Sequence, residues 1–152
     1  MMSRRPNGAL VAAVAVGVLG CTGAALAANQ VKGARYSGRL APPRSAVVVS
    51  FKVSGSGKQV TGLTISDTPF YCEGGGRVTP VKLANAGISK SGTFTSTGKY
   101  VIAVGPLKGQ VGTRLKITGK FGKHGKEQGT LTVTYPKSPS CSGKSSYATK
   151  KG

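Results

Sequence analysis

Four stretches of the chain alternate apolar and polar residues with a period of two. Val47, Val49, Phe51 and Val53 share one parity against Ser50, Lys52 and Ser54, and Leu63 and Ile65 alternate with Gly62, Thr64 and Ser66. Leu115, Ile117 and Phe121 alternate with Arg114, Lys116, Thr118 and Lys120; Leu131, Val133 and Tyr135 alternate with Thr130, Thr132 and Thr134. Successive side chains of a strand point to opposite faces, so this period predicts strands with one buried face. Weaker strand signals lie at 34–39, 77–83, 93–97, 100–104 and 145–150. Val, Thr, Ser and Gly dominate, Glu occurs twice and Ala is sparse beyond Ala46, which favours strands over helices.

Parity also proposes registers. Around Gly57, Phe51 opposite Leu63 and Val49 opposite Ile65 place apolar against apolar, with the turn at Ser54-Gly55-Ser56-Gly57-Lys58. Around Gly125, Ile117 opposite Val133 and Leu115 opposite Tyr135 do the same and set Gly119 against Leu131. A slip of one residue would turn an apolar set to water. About seven or eight short antiparallel strands in one domain over 34–152 predict a β-sandwich, with a small β-barrel as the alternative.

The N-terminal region reads differently. Arg4 and Arg5 precede an apolar run from Ala9 to Leu19, and Ala25-Leu26-Ala27 supplies small residues for cleavage. Residues 1–27 are therefore expected to be a secretory signal peptide, with 28–33 a flexible segment and the protein secreted. The apolar run is too short to span a bilayer, which takes about 20 residues. Val18-Leu19-Gly20-Cys21 keeps a second route open, in which Cys21 is lipidated and anchors the protein at the cell surface; membrane contact is expected only by that route. By either route Cys72 and Cys141 remain, a disulfide pair in an oxidising compartment. Their loop of about 70 residues is worth roughly 4 kcal/mol in the chain-entropy model.

Charge narrows the partners. The chain has 22 Lys+Arg against 3 Asp+Glu and a net charge of +19. Of its 24 Gly and 8 Pro, none builds a Gly-X-Y period, which excludes collagen. Three scattered acids (Asp67, Glu73 and Glu127, expected as local ion-pair partners) leave no acid pair for catalysis and no calcium loop. Cys72-Glu73-Gly74-Gly75-Gly76-Arg77 lacks the Gly-Lys-Ser/Thr ending of a phosphate loop. His124 has no adjacent nucleophile, and no metal-ligand spacing occurs, so neither an enzyme nor a cofactor nor a small-molecule substrate is expected. A concave pocket around His124 is the one feature that would reopen catalysis.

Tyr36-Ser37-Gly38, Val49-x-Phe51-x-Val53-Ser54, Val60-x-x-Leu63-x-Ile65 and Cys72 resemble a group of small secreted, Gly/Lys-rich, two-cysteine proteins of actinobacterial type. Gly129-Thr130-Leu131-Thr132-Val133 and Cys141-Ser142-Gly143 fit the same pattern, with Tyr147 as the last-strand aromatic. The resemblance implies an all-β fold and export, and brings no catalytic residues.

The candidate site is a basic stripe. Arg114, Lys116 and Lys120 share the outward parity of one strand, with side chains two residues apart spaced by roughly 6.6 Å. Thr130, Thr132 and Thr134 stand on the paired strand, and the turn adds Lys123, His124 and Lys126. This surface predicts electrostatic binding of anionic polymers: teichoic acid, acidic polysaccharide or, more weakly, nucleic acid. Phe51, Phe121 and Tyr135 have core parity and so offer no platform for stacked bases, while Phe70 and Tyr71 flank Cys72. The alternative is a structural or adhesion module that contacts another protein by strand addition.

Overall fold

Alternation matures into strands wherever one face can be covered. The structure, a computed structural model, describes residues 30–67 and 80–152. The expected export segment, Cys21, Phe70, Tyr71, Cys72 and Glu73 lie outside the described residues. Among the described residues there are nine strands: β1 (Arg35–Leu40), β2 (Val48–Val53), β3 (Gln59–Ile65), β4 (Val81–Lys82), β5 (Ala86–Gly87), β6 (Thr93–Val101), β7 (Val111–Phe121), β8 (Lys126–Thr134) and β9 (Gly143–Lys151). They form one antiparallel sheet in the order β4-β3-β2-β1-β9-β8-β7-β6, with β5 also on β3.

That order makes almost every strand the neighbour of the next in sequence, with β1 and β9 joining the two ends of the chain. The sheet then curls until β3 and β6 approach one another. Residues 81–89 stitch the seam: Leu83 N–H donates to the Leu63 carbonyl (2.9 Å), Ala84 N–H to Thr97 (2.9 Å), Ile88 N–H to Lys58 (2.8 Å) and Ser89 N–H to Thr93 (2.8 Å). The expected all-β antiparallel fold is thus present as a nearly closed barrel, the second of the two architectures the pattern allows.

The first hairpin pairs Val49 with Ile65 as expected, but the register shifts between Ser50 and Lys52. Gly62, at φ +61°, supplies an extra residue there, so Gly62 and Leu63 together face Phe51 and the register then resumes at Lys52 with Thr61. The second hairpin corrects the expected register by two residues: Leu115 pairs with Val133, Ile117 with Leu131 and Gly119 with Gly129. A two-residue slip keeps every side chain on its face, so parity cannot detect it. The turn at Lys123–Gly125 is a tight 3-10 element, which carries β7 and β8 on to the pair Phe121 and Glu127. The weak signal at 100–104 is not a strand of its own; Tyr100 and Val101 finish β6 and the chain then leaves the sheet.

Inward positions fill the barrel. Tyr36 stacks on Phe51 (5.1 Å between centroids), and Phe121 and Phe94 complete the cluster edge-on or tilted, from β1, β2, β6 and β7. Val49, Val53, Val60, Leu63, Ile65, Leu115, Ile117, Leu131 and Val133 are fully buried around it. Rings meeting from both sides of the sheet's seam hold the curl closed, each pair adding about 0.5–1.5 kcal/mol beyond area burial.

Candidate functional site

The outward positions carry the cations. On β7, Arg114, Lys116, Thr118 and Lys120 are exposed, alternating with buried Thr113, Leu115, Ile117 and Gly119. The registers spread this stripe sideways. Lys99 on β6 lies opposite Arg114; Thr97, Lys116, Thr132 and Lys144 form one row, and Lys120, Gln128, Ala148 and Arg39 another. Lys126 stands opposite Lys150, and Arg35 opposite Lys52. The outward cations therefore spread over the adjoining strands β6, β7, β8, β9 and β1 and reach β2, with Lys82 on β4, whereas the outward positions of β3 bear no charge.

No acid interrupts this face among the described residues. Asp67 follows β3, and Glu127 points into the barrel. Directly opposed like charges destabilise a strand pair by up to about 1 kcal/mol, so Lys126 with Lys150, Lys99 with Arg114 and Arg35 with Lys52 are standing costs that an external anion would relieve.

Two adjoining open concavities dent the face. One, of about 730 Å³, is lined by Lys120, Lys123, His124, Lys126, Gln128 and Lys150. Its neighbour, of about 530 Å³, shares Lys120, Gln128 and Ala148 and reaches Arg39 and Ser146. His124 is held at φ +59°, left-handed backbone in which His is enriched among non-glycine residues. All five stripe residues expected from sequence (Arg114, Lys116, Lys120, Lys123 and Lys126) are exposed, the last three beside the first concavity. Lys144, Lys150, Arg39 and Lys99 join them; sequence alone did not group these because strand order was unknown.

From the barrel side the first concavity is lined by Glu127 and Thr149, a polar corner that the sequence reading missed. The sequence makes Glu127 a local ion-pair partner. Instead it is 1% exposed, and its carboxylate accepts hydrogen bonds from the Tyr147 hydroxyl (2.7 Å) and the Thr149 hydroxyl (2.7 Å). Burial raises its pKa to about 7, against a partial lowering by the two donors. Burial likewise raises the Tyr147 pKa, helped by the charge and hydrogen bond of Glu127. Space for this corner comes from Gly119 and Gly129, paired across β7 and β8. A Cβ on Gly129 would overlap the Thr118 carbonyl oxygen and stand 2.6 Å from the Tyr147 hydroxyl; one on Gly119 would overlap the Glu127 carboxylate and Phe94.

Cys141 closes a 3-10 turn over Pro139–Cys141 and is half-buried; its expected partner Cys72 is outside the described residues. Among the described residues, no group of three His, Cys, Asp or Glu could hold a metal, and no helix is long and apolar enough to cross a membrane. Compared with family models, curated proteins and solved structures, the chain matches none.

Proposed function

We propose that the protein is an exported, non-enzymatic β-domain that holds anionic polymers of the cell envelope or its surroundings on the outer face of β6–β9 and β1. The observation that carries this reading is the row-by-row adjacency of Lys99, Arg114, Lys116, Lys120, Lys126, Lys144, Lys150 and Arg39 at outward positions of five neighbouring strands. Lys120, Lys126 and Lys150, with Lys123 from the turn, border the larger concavity, where a phosphate- or carboxylate-bearing chain would displace counterions from several cations at once. Neighbouring Thr95, Thr118, Thr130 and Ser146 offer hydroxyl donors along the same face. The aromatic rings of Tyr36, Phe51, Phe94 and Phe121 are buried, which favours recognition of the charged backbone of a polymer over its bases. In this reading a disulfide between Cys72 and Cys141 ties the segment after β3 to the turn before β9. The mature chain begins after Ala27, or at a lipidated Cys21.

The test is a titration with polyphosphate, teichoic acid and heparin over a range of salt. Affinity is expected to fall steeply with ionic strength and by at least about tenfold in the Lys116→Glu, Lys120→Glu double variant. Absent or salt-independent binding overturns the proposal, and a defined protein partner retained at high salt favours contact by strand addition instead. The concavity around His124 favours a second reading, in which the bound polymer is also cleaved. Polymer length measured after prolonged incubation separates the two: an unchanged length supports binding alone, and shortening that is lost in His124→Ala supports cleavage. Mass spectrometry of the non-reduced protein reports both the mature N-terminus and the disulfide.

A further inference from the structure

The β6–β7 hairpin outgrows the barrel. β8 pairs with β7 from Arg114 onward, and Tyr100 packs against the core, so beyond Tyr100 the hairpin has no strand partner other than its own two strands. At its end, Val101-Ile102-Ala103-Val104-Gly105-Pro106-Leu107 contains no polar side chain. Four large apolar side chains are exposed among the described residues, and three of them belong to this tip: Val101 (40%), Val104 (78%) and Leu107 (45%). Consecutive exposed apolar residues at a protruding tip carry a penalty in solubility unless something covers them.

The tip is built, not frayed. Ile102 N–H donates to Gln110 (3.0 Å), Gly109 N–H to Ile102 (2.9 Å), Lys108 N–H to Gly105 (3.1 Å) and Gln110 N–H to Leu107 (3.1 Å). Gly105 and Gly109 take left-handed φ of +81° and +84°, and Pro106 has no N–H to satisfy. Four backbone donors, those of Ile102, Lys108, Gly109 and Gln110, are thus paired within the tip, which fixes its shape. Lys108 borders the tip directly, while Lys99 and Arg114 form a cationic collar at its base, with Tyr100 half-buried between.

An apolar, internally bonded, convex tip with a cationic collar has the chemistry of an anionic lipid surface: side chains enter the acyl boundary by about 5–10 Å while ammonium groups meet the headgroups. We infer that the β6–β7 hairpin tip inserts Val101, Val104 and Leu107 into anionic bilayers and docks the barrel on a membrane independently of any lipid on Cys21. Lys99 and Arg114 belong to both surfaces, but the inserting side chains are not polymer-binding groups and the concavity lies at the opposite end of β7, so insertion does not need polymer binding.

The chain has no tryptophan, so Leu107→Trp places a single reporter at the tip. The full chain, and in parallel the chain starting at Ala28, is mixed with vesicles of phosphatidylcholine alone or with phosphatidylglycerol, each also prepared with brominated acyl chains. A blue shift and bromine quenching on the anionic vesicles are expected, with vesicle affinity falling on the order of tenfold when Val104→Asp is added. An unshifted, unquenched signal overturns the inference. So does vesicle binding without quenching, which would mean that the cationic face adsorbs while the tip stays in water. So does a blue shift that needs an added protein and no lipid. Polyphosphate binding measured on the same samples stands apart: its loss counts against the polymer reading and leaves insertion as it is.

Discussion

Along β8, Glu127 enters the barrel while Lys126 and Gln128, one residue to either side, leave it. The same holds on β9, where Tyr147 and Thr149 face inward and Ala148 and Lys150 outward. The two faces of these strands answer to different demands. Inside, each group is fixed by neighbours at hydrogen-bond or van der Waals distance, and a single added carbon has nowhere to go. Outside, long side chains stand in water, and their mutual repulsion is tolerated at a modest cost in stability. Stability and partner recognition are therefore separable here by parity alone, and substitutions one residue apart should read out on different instruments.

The hardest break in that contrast is Gly129→Ala. Its Cβ would meet backbone on one side and Tyr147 on the other, so a loss at or above the usual overpacking range, about 3 kcal/mol, is expected in a denaturant melt. Polymer affinity of the fraction still folded should stay unchanged.

Next comes pH. Glu127 has a folded-state pKa near 7 against 4.5 for an exposed carboxyl, so the native state binds the proton more tightly than the unfolded one. Its favourable contribution is complete below about pH 4.5 and is lost as pH rises to about 7, a swing of roughly 3 kcal/mol. Chemical melts between pH 4.5 and 8 should show stability falling with pH and levelling off above neutrality, and Glu127→Gln should flatten the curve. A flat wild-type profile would mean that the carboxyl is far better solvated than its burial implies.

Tyr147→Phe is smaller. It removes one donor from a buried carboxylate, expected to lower stability by about 1–3 kcal/mol at neutral pH. Because that hydrogen bond lowers the Glu127 pKa, the pH inflection should also move upward. The gentlest change is on the outer face: Lys150→Glu opposite Lys126 should raise stability by about 0.2–1 kcal/mol. The same substitution is expected to weaken polyphosphate binding. Stability gained and binding lost together would sharpen the comparison most, since inside the barrel substitutions are expected to change stability and leave binding as it is.

Parity explains how far the sequence could be read. It placed Val49, Phe51, Leu115, Ile117, Leu131 and Val133 inside and Arg114, Lys116 and Lys120 outside, and the structure has them so. The same parity reaches Glu127, which shares the odd positions of Leu131 and Val133; a polar residue on an apolar face was the available signal for a buried carboxylate. The β7–β8 register escapes parity because two residues is one full period, and the choice between registers is made by the tight turn at Lys123–Gly125 with its left-handed His124. The adjacency of Lys144, Lys150 and Arg39 to the stripe was out of reach because strand order is a property of pairing. At 100–104 an apolar run was taken for a strand, since composition does not distinguish a covered apolar segment from a projecting one.

The pairing of β1 with β9 has a further consequence. Apart from β5, which pairs with β3, each remaining strand lies beside a sequence neighbour, so the connectivity is a ring cut once, between the first and the last of the described strands. β1 has β2 early, but its other edge waits for more than a hundred residues of synthesis, and the barrel cannot close before then. Contacts this distant in sequence favour slow, late-cooperative folding. They also leave the position of the cut free. A chain opened within 102–110 and joined from Gly152 back to Ala34 would preserve every strand pair while moving the last-made element to β6.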